Sequence, residues 1–293
     1  MDPSRSAERV RQVEWAIIAR AALDHRGAVA LLLAAEGPTG TAQILTRTTA
    51  TLTVRAGADL SNAAHIGARL ITRDSPEWPR QLAELDHPSV NSTTPVALWA
   101  RGAGRLDTAG DRGLAVVGAR ACTGHGRAAT FELTSAVAAQ GWMIVTGGAY
   151  GVDTAAMEAT LGVEGSAIVV TASGLGHTDP TANKDLFEKV TARGLLVSEY
   201  PPFDSPTRDR FLHRNRVIAA LAGAAMVVPE AGIRSGSLNA ARWANSLHRP
   251  VFTVATAAPN APAWAGCAAM VDDGRAHLVT DSEQLLTALA AGR

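Results

Sequence analysis

Short apolar runs alternate with turns and helix-like stretches from about residue 112 to the end of the chain. The runs cover residues 114–117, 142–146, 167–171 and 226–228, and the turns after them contain Gly118, Gly147-Gly148, Ser173-Gly174 and Ser235-Gly236-Ser237. Each run has the length of a buried strand, and a helical pattern follows each turn. This alternation predicts an α/β fold in which crossover helices flank a parallel sheet. The glycine turns then lie along one carboxyl edge of the sheet, where ligands of such folds bind.

The same patterning divides the chain into three zones. Residues 1–70 are helix-like, with a break at Gly37-Pro38, and predict a small helical N-terminal domain. Residues 71–111 contain scattered prolines and glycines and are interpreted as an extended connector into the sheet. Residues 112–293 carry the alternation of strands and helices and are expected to form the main domain.

Charge and composition narrow the classes of partner. The 293 residues include 27 basic and 27 acidic side chains, so the formal net charge is zero. A neutral total argues against indiscriminate nucleic-acid binding, although it is compatible with a local basic stripe. Lys184 and Lys189 are the only lysines, and the other basic residues are arginines, whose planar fork suits phosphate groups. A GC-rich coding sequence explains the same bias, so arginine content alone does not decide the function.

Several other classes of protein are not indicated. No early stretch has the pattern of a signal peptide, and no apolar run reaches the roughly 20 residues needed to cross a bilayer. The two cysteines, Cys122 and Cys267, are far apart in sequence. Cys122 and His125 form a single pair with metal-ligand spacing, and no second pair accompanies them. No metal or cofactor is therefore indicated, and a reducing cytoplasm is the expected compartment.

Five motifs occur in order along the third zone. They are Val117-Gly118-Ala119-Arg120, the run TGGAYGVD from Thr146 to Asp153, Ser198-Glu199-Tyr200-Pro201-Pro202, the run RNRVIA from Arg214 to Ala219, and the stretch from Glu230 to Asn239 that contains Ser235-Gly236-Ser237. This order resembles the DprA/Smf family of DNA-processing proteins, and the resemblance extends over about residues 77–280. It implies an extended Rossmann-like parallel sheet that binds single-stranded DNA. It also implies a homodimer that helps to load the RecA recombinase.

The glycine turns supply the first candidate phosphate sites. A glycine turn at a helix start exposes backbone NH groups, and the helix dipole adds partial positive charge there, so a phosphate is favoured. Beside Gly118, Arg120 is the candidate clamp and Thr123 is a candidate hydroxyl donor. The turns at Gly147-Gly148 and Gly174 are further candidates. For any single glycine, the alternative is that it only permits a tight turn between strand and helix.

The motif Arg214-Asn215-Arg216 supplies a second candidate group. If the segment is extended, both arginines point the same way and form a joint phosphate clamp. If the segment is helical, they lie on nearly opposite faces. The alternative to a clamp is one arginine in a structural salt bridge and one in solvent.

The turn formed by Ser235, Gly236 and Ser237 is the third candidate group. Its hydroxyls either cap the next helix or donate to a phosphate. Aromatic residues make up only 4% of the chain. Phosphate contacts are therefore expected to supply most of the affinity, with little base specificity.

Two other functions remain open from the sequence. Asp153, Asp179, Glu199 and Glu230 fall near predicted carboxyl ends of strands, where a general base would lie. No nucleophile motif, metal-ligand cluster or Walker lysine accompanies them, so a structural role is preferred. The alternative enzyme is a nucleotide N-glycosidase that resembles the LOG family. The alternative binding module is a sensor that holds a mononucleotide in the same pocket.

Overall fold

A computed structural model describes residues 3–90, 92–256 and 258–291. Within these residues the helices are α1 Pro3–Thr48, α2 Thr51–His65, α3 Gly124–Ala139, α4 Val152–Gly162, α5 Lys184–Thr191, α6 Arg208–Leu221, α7 Ser237–Ser246, α8 Ala265–Asp272 and α9 Ser282–Ala291. The strands are β1 Ala68–Thr72, β2 Ala97–Arg101, β3 Gly113–Val116, β4 Met143–Thr146, β5 Ala167–Val170, β6 Leu195–Ser198, β7 Ala225–Val227, β8 Val251–Val254 and β9 His277–Val279. Of the predicted zones, residues 1–2 of the first, residue 91 of the second, and residues 257 and 292–293 of the third lie outside the described residues.

The strands form one sheet in the order β1-β2-β6-β5-β4-β3-β7-β8-β9. Strands β3 to β9 pair in parallel, and β1 and β2 pair antiparallel at one edge. The predicted α/β class with a mostly parallel, Rossmann-like sheet is therefore confirmed. The sheet has its topological switch point between β3 and β7, because the chain leaves β3 toward β4 on one side and returns to β7 on the other.

The interpretation of residues 71–111 as an extended connector is wrong. This segment holds the end of β1, all of β2 and a 3-10 helix over Arg80–Asp86. Leu82 and Leu85 of that helix are fully buried under the sheet. The prolines and glycines mark the turns between these short elements, and the turns do not extend through the whole segment.

Helices cover both faces of the sheet. Apolar residues of α1, α3, α4 and α9 belong to a buried cluster on one face, and those of α6, α7 and α8 belong to a cluster on the other. Neighbouring residues of β4, Ile144 and Val145, point to opposite faces, and both are fully buried. Burial on both faces explains why the parallel strands are continuous apolar runs in the sequence.

The N-terminal helices pack on the first of these faces. Trp15 and Ile18 of α1 are buried in the same cluster as Leu70 and Trp99 of the edge strands. The break expected at Gly37 is present, because Gly37 has a φ of +66° and Pro38 follows it. None of the described helices is long and apolar enough to cross a membrane.

Candidate functional site

A cavity of about 1070 Å³ opens at the carboxyl edge of the sheet, in the crevice between the loops that follow β3 and β7. A crevice of this kind forms at a topological switch point, because the connections after the two neighbouring strands run in opposite directions. The lining comes from residues 117–121, from Ala149 and Asp153, from one side of α6, from residues 232–240 with Arg242, and from Ala263. The turn after β3, the turn after β4, α6 and the start of α7 therefore all contribute side chains to one space.

Five arginines line this cavity. They are Arg120, Arg208, Arg214, Arg234 and Arg242. Asp153 is the only carboxylate among the lining residues. Four of the five arginines are exposed, and in the described part of the chain none of these four forms an ion pair. A protein with zero net charge thus concentrates uncompensated positive charge in one crevice, whose low-dielectric walls focus the field on a bound anion.

Arg214 is the buried member of the five, with only 6% of its surface exposed. Its Nη1 atom donates to the carbonyl of Gly147, at 2.7 Å, and to the carbonyl of Val170. Its Nε atom finds no acceptor among the described residues. Burial lowers the pKa of Arg214 to about 10, and Asp153 opposes that shift, so the guanidinium remains charged at neutral pH.

Gly147 makes room for this guanidinium. A Cβ atom on Gly147 would lie 2.7 Å from both terminal nitrogens of Arg214 and 2.8 Å from Oδ2 of Asp153. The Asp153 carboxylate accepts from the backbone NH of Gly147 at 3.1 Å and of Ala149 at 3.2 Å. Burial raises the pKa of Asp153 above its usual value, and Arg214 and these NH groups offset only part of that rise. Asp153 therefore stabilises the turn after β4 through these two hydrogen bonds, in agreement with a structural role.

An arginine and an aromatic ring stack at the wall of the cavity. The guanidinium carbon of Arg120 lies 4.8 Å from the ring centre of Phe211, within cation–π range. Leu212 and Ile233 also line the cavity, and they expose 43% and 62% of their surfaces. Apolar and aromatic groups beside cations are the surface that unstacked bases contact in single-strand binders.

The N-terminus of α7 faces the same space. Ser235 and Ser237 share a hydrogen bond of 2.7 Å between their hydroxyls. Asn215 of α6 donates to the carbonyl of Gly236 and to Oδ1 of Asn239, each at 3.2 Å. The N-cap residue Gly236 has no side chain to cap α7, and the NH of Ser237 donates to Oγ of Ser235 at 3.4 Å. The positive end of the α7 dipole is therefore directed at the arginine-lined crevice.

The family model for DNA recombination-mediator protein A matches residues 69–290. The chain belongs to this family. The resemblance to DprA/Smf proteins that the motifs indicate is therefore confirmed.

Individual relatives agree with this assignment. The chain is 40% identical over 237 residues to a Mycobacterium tuberculosis protein that carries the DprA name, covering 79% of this chain and 60% of that protein. It is 36% identical over 227 residues to the protein Smf of a Synechocystis species, covering 76% and 54% of the two chains. The chain thus spans somewhat more than half the length of these relatives.

Two solved structures share the fold. The crystal structure of DprA from Streptococcus pneumoniae superposes with a TM-score of 0.67 at 29% identity and covers 81% of each chain. A structure of DprA from Helicobacter pylori, described for its unique single-stranded DNA binding mode, also has a TM-score of 0.67, at 26% identity. It covers 78% of this chain and 98% of the Helicobacter chain.

Most of the residues singled out from the DprA-like motifs meet at the cavity. Gly118, Arg120, Arg214, Asn215, Ser235, Gly236 and Ser237 all line it. Gly118 is required for close packing, because a Cβ there would lie 2.6 Å from Val152 and 2.8 Å from the Glu230 carbonyl. Gly147 lies behind Arg214, and Gly148, with a φ of +73°, packs against Phe187.

The structure does not place Thr123 as a free phosphate donor. Its hydroxyl donates to Oε2 of Glu230 at 2.5 Å, and its backbone NH donates to Oε1 at 2.9 Å. The same hydroxyl accepts from the NH of Gly126 and so caps α3. The buried Glu230 carboxylate therefore takes the position at the α3 N-terminus where a bound anion was expected.

Gly174 also lies outside the cavity lining. Its NH donates to the carbonyl of Asp204 at 2.9 Å. A Cβ on Gly174 would come within 1.8 Å of the Pro201 carbonyl oxygen. This glycine permits two loops to pack together, and the expectation of a phosphate contact at Gly174 is not supported.

The joint clamp of Arg214 and Arg216 does not form. The segment is the middle of α6, and residues two apart on a helix lie on nearly opposite faces. Arg216 is 1% exposed and donates to both oxygens of Glu199 at 2.8 Å, so it is the partner in a structural salt bridge. A signal for this helix was present in the sequence, since Thr207 accepts from the NH of Arg210 as an N-cap.

His213 directly precedes these two arginines in sequence and gives a pH-dependent prediction. Burial and the guanidinium of Arg216 lower its pKa from 6.5 to about 4. The unfolded chain therefore binds this proton at a higher pH than the folded chain does. Stability should fall as the pH drops through the window from 6.5 to about 4, by about 2 kcal/mol between pH 7 and 4.5 from this group.

Urea unfolding at a series of pH values measures this contribution. We expect the His213→Gln variant to lose stability less steeply than the wild type over that window, by about the same 2 kcal/mol. The exposed His65 provides the control, and His65→Gln should follow the wild-type curve. Parallel curves for wild type and His213→Gln would contradict the prediction.

The site predicted from the sequence did not include several side chains that line the cavity. They include Arg208, Phe211, Leu212, Ile233, Arg234 and Arg242. Arg208 and Phe211 lie on the face of α6 that also carries Asn215, so a correct helix assignment would have grouped them. Arg234 lies in the turn before α7, and Arg242 lies on α7 itself. Their convergence depends on the crossing of α6 and α7, which no local pattern indicates.

Proposed function

We propose that this protein binds single-stranded DNA in the arginine-lined cavity and acts as a recombination mediator. The observation that carries the proposal is the group of four exposed, unpaired arginines around the buried Arg214. Phosphate oxygens are the ligands that several guanidinium groups and a helix N-terminus favour together. Among the residues that line the cavity, Asp153 is the only carboxylate that could neutralise this group.

Single strands fit this cavity better than duplex DNA. Phe211, Leu212 and Ile233 offer apolar surface beside the arginines. Base faces are available for stacking only when the strand is unpaired. The Helicobacter pylori protein, which has the same fold, is described as a single-stranded DNA binder, and this supports the same ligand class here.

The family supports two further parts of the proposal. We infer a homodimer, and we infer that the bound strand is handed to the RecA recombinase. Both inferences rest on membership of the DNA recombination-mediator family. The curated relatives that represent this family are longer than this chain.

A nucleotide-hydrolysing function is less well supported. Asp153 is held by two backbone NH groups, and Glu230 is held by the hydroxyl and NH of Thr123. Glu199 is paired with Arg216 away from the cavity lining. Each of these carboxylates is engaged in a structural bond, so none is presented to a substrate as a free general base.

The test is a fluorescence anisotropy titration of labelled oligo-dT at several salt concentrations. We expect log affinity to fall with log salt by about 0.7 for each phosphate neutralised. Arg120→Ala should weaken binding and reduce this slope by about 0.7. Arg47→Ala is the matched control, because Arg47 is also exposed and unpaired and does not line the cavity.

Competition with unlabelled ligands separates the alternatives. Single-stranded oligonucleotides should displace the probe far better than a duplex or a mononucleotide of equal nucleotide concentration. No binding of oligo-dT at low salt would overturn the proposal. Tight binding of a mononucleotide with weak binding of oligo-dT would favour the nucleotide sensor or the N-glycosidase.

A further inference from the structure

A polar network joins the N-terminal helices to the start of α6. We call it the anchoring network, and its members are Arg20, Arg26, Asp59, Glu199, Tyr200, Asp204, Arg210, His213 and Arg216. None of these residues lines the arginine cavity. The network nevertheless ends on α6, the helix that carries two of the cavity's arginines, Arg208 and Arg214.

Glu199 forms the first centre of the network. Its carboxylate is almost fully buried, pairs with Arg216 at 2.8 Å and lies 3.2 Å from the Nη2 atom of Arg26. Arg26 belongs to α1, and Arg216 belongs to α6. Burial alone would raise the pKa of Glu199, but Arg216, Arg26 and His213 together hold it below its usual value. An ionised carboxylate therefore bridges the two helices.

His213 ties the same two helices a second time. Its Nε2 atom accepts from Nη1 of Arg26 and, at 3.1 Å, from Nε of Arg216. Because guanidinium groups only donate, Nε2 carries no proton and the proton resides on Nδ1. Nδ1 lies 3.3 Å from the hydroxyl of Tyr200. Arg26 thus contacts both Glu199 and a side chain one residue before Arg214.

A second arm reaches the loop that precedes α6. Arg20 of α1 is paired with Asp59 of α2 and lies 3.4 Å from Asp204. Asp204 accepts in turn from Nη2 of Arg210 at 2.9 Å. The guanidinium of Arg210 stacks 4.2 Å above the ring of Tyr200. The N-terminal helices therefore hold both α6 and the loop against which α6 packs.

The first turn and a half of α6 has few other attachments. Arg208, Asp209 and Leu212 are exposed, and continuous apolar burial of this helix begins only with Val217. The cavity nevertheless requires this half of the helix, because Arg208 and Phe211 line it. Apart from the stacking of Arg120 on Phe211, the contacts that orient this half of the helix are the polar ones at Arg210 and His213.

We propose that the N-terminal helices position the cavity-lining face of α6, and that Arg26 is the central positioning residue. The proposal rests on the proposed function, because it concerns the same DNA-binding cavity. Arg26 acts through His213 and Glu199 and does not touch the DNA. It lies in the stretch before residue 69, which the family model does not cover. A segment outside the family's common region thus supports the binding site.

The test compares Arg26→Met with the wild type in the oligo-dT titration. We expect affinity to fall about tenfold at a fixed salt concentration. The salt slope should stay unchanged, because no phosphate contact is removed. Arg26→Lys should recover part of the loss, since an ammonium group still pairs with Glu199.

Arg69→Met is the matched control. Arg69 is also a partly exposed arginine bonded to a carboxylate, with its Nη2 atom 2.7 Å from Glu77, and it does not contact α6. The Arg69→Met variant should therefore have a lower free energy of unfolding and an unchanged affinity for oligo-dT. Equal affinity of the wild type and Arg26→Met, or a salt slope that changes as for Arg120→Ala, would overturn the positioning role.

Hydrogen exchange without DNA separates this inference from the proposed function. Backbone amides in residues 210–214 should lose protection in Arg26→Met and keep it in Arg69→Met. If the wild type fails to bind oligo-dT but this loss is seen, the proposed ligand is wrong and the coupling of α1 to α6 stands. Unchanged protection in Arg26→Met would overturn the coupling whatever the wild type binds.

Discussion

Replacing the four exposed arginines of the cavity together by alanine is expected to lower the affinity for oligo-dT at least about a hundredfold at about 50 mM salt. The four are Arg120, Arg208, Arg234 and Arg242. None is paired with a carboxylate in the described part of the chain, so their charges are available to phosphates. The salt slope should become shallower by about 0.7 for each phosphate contact that is lost. Anisotropy titrations over a salt series measure both quantities.

A second set of four arginines gives a matched control for net charge. Arg9, Arg47, Arg55 and Arg80 are also exposed and without ion pairs, and they lie away from the arginine-lined cavity. Their replacement changes the net charge by the same amount, so long-range attraction of DNA falls equally in both variants. We expect a much smaller loss for the control set. Similar losses for the two sets would mean that overall charge, and not the cavity, accounts for binding.

Arg214→Met is expected to reduce the free energy of unfolding by about 3–5 kcal/mol. The buried carbonyls of Gly147 and Val170 would lose a charged donor, and Asp153 would lose its nearby cation. Urea unfolding followed by circular dichroism measures the change. Arg208→Met is the control on the same helix, and because Arg208 is exposed, a change within about 0.5 kcal/mol is expected.

Asp153→Asn in the Arg214→Met background tests the electrostatic part of this loss. Removal of the buried carboxylate should recover part of the stability, because a neutral amide is less costly to bury without a cation. A loss below about 1 kcal/mol for Arg214→Met would contradict the assigned role of its buried hydrogen bonds. If the double variant is no more stable than Arg214→Met, the whole loss of stability comes from the lost hydrogen bonds to the carbonyls of Gly147 and Val170.

The sheet and the location of the site could be predicted from local patterns. Apolar runs such as residues 142–146, each followed by a glycine turn, indicate parallel strands because both faces of such strands are buried. The motif residues Gly118 and Arg120 follow β3 directly, so their position at the carboxyl edge needs no long-range information. The family resemblance rests on the same short segments.

Errors arose where two local signals competed. Prolines and glycines between residues 71 and 111 suggested a connector, yet β2 pairs with β6, almost a hundred residues later. In the RNR motif, the spacing alone did not distinguish a strand from a helix. The N-cap at Thr207 and the apolar surface from Val217 onward decide for the helix, and they place Arg216 against Glu199.

The sequence by itself therefore determined the strand and turn order, the family, and the presence of arginines near one edge of a sheet. Only the tertiary structure decided which arginines meet. Arg120, Arg208 and Arg234 come from three separate segments that the crossing at the switch point brings to one cavity. The structure also decided that Glu230 occupies the α3 N-terminus and that Arg26 reaches α6. Side chains distant in sequence become neighbours only when the apolar faces of the helices pack together. The periodicity of the sequence shows which face of a helix is apolar, but it does not show against which other element that face packs.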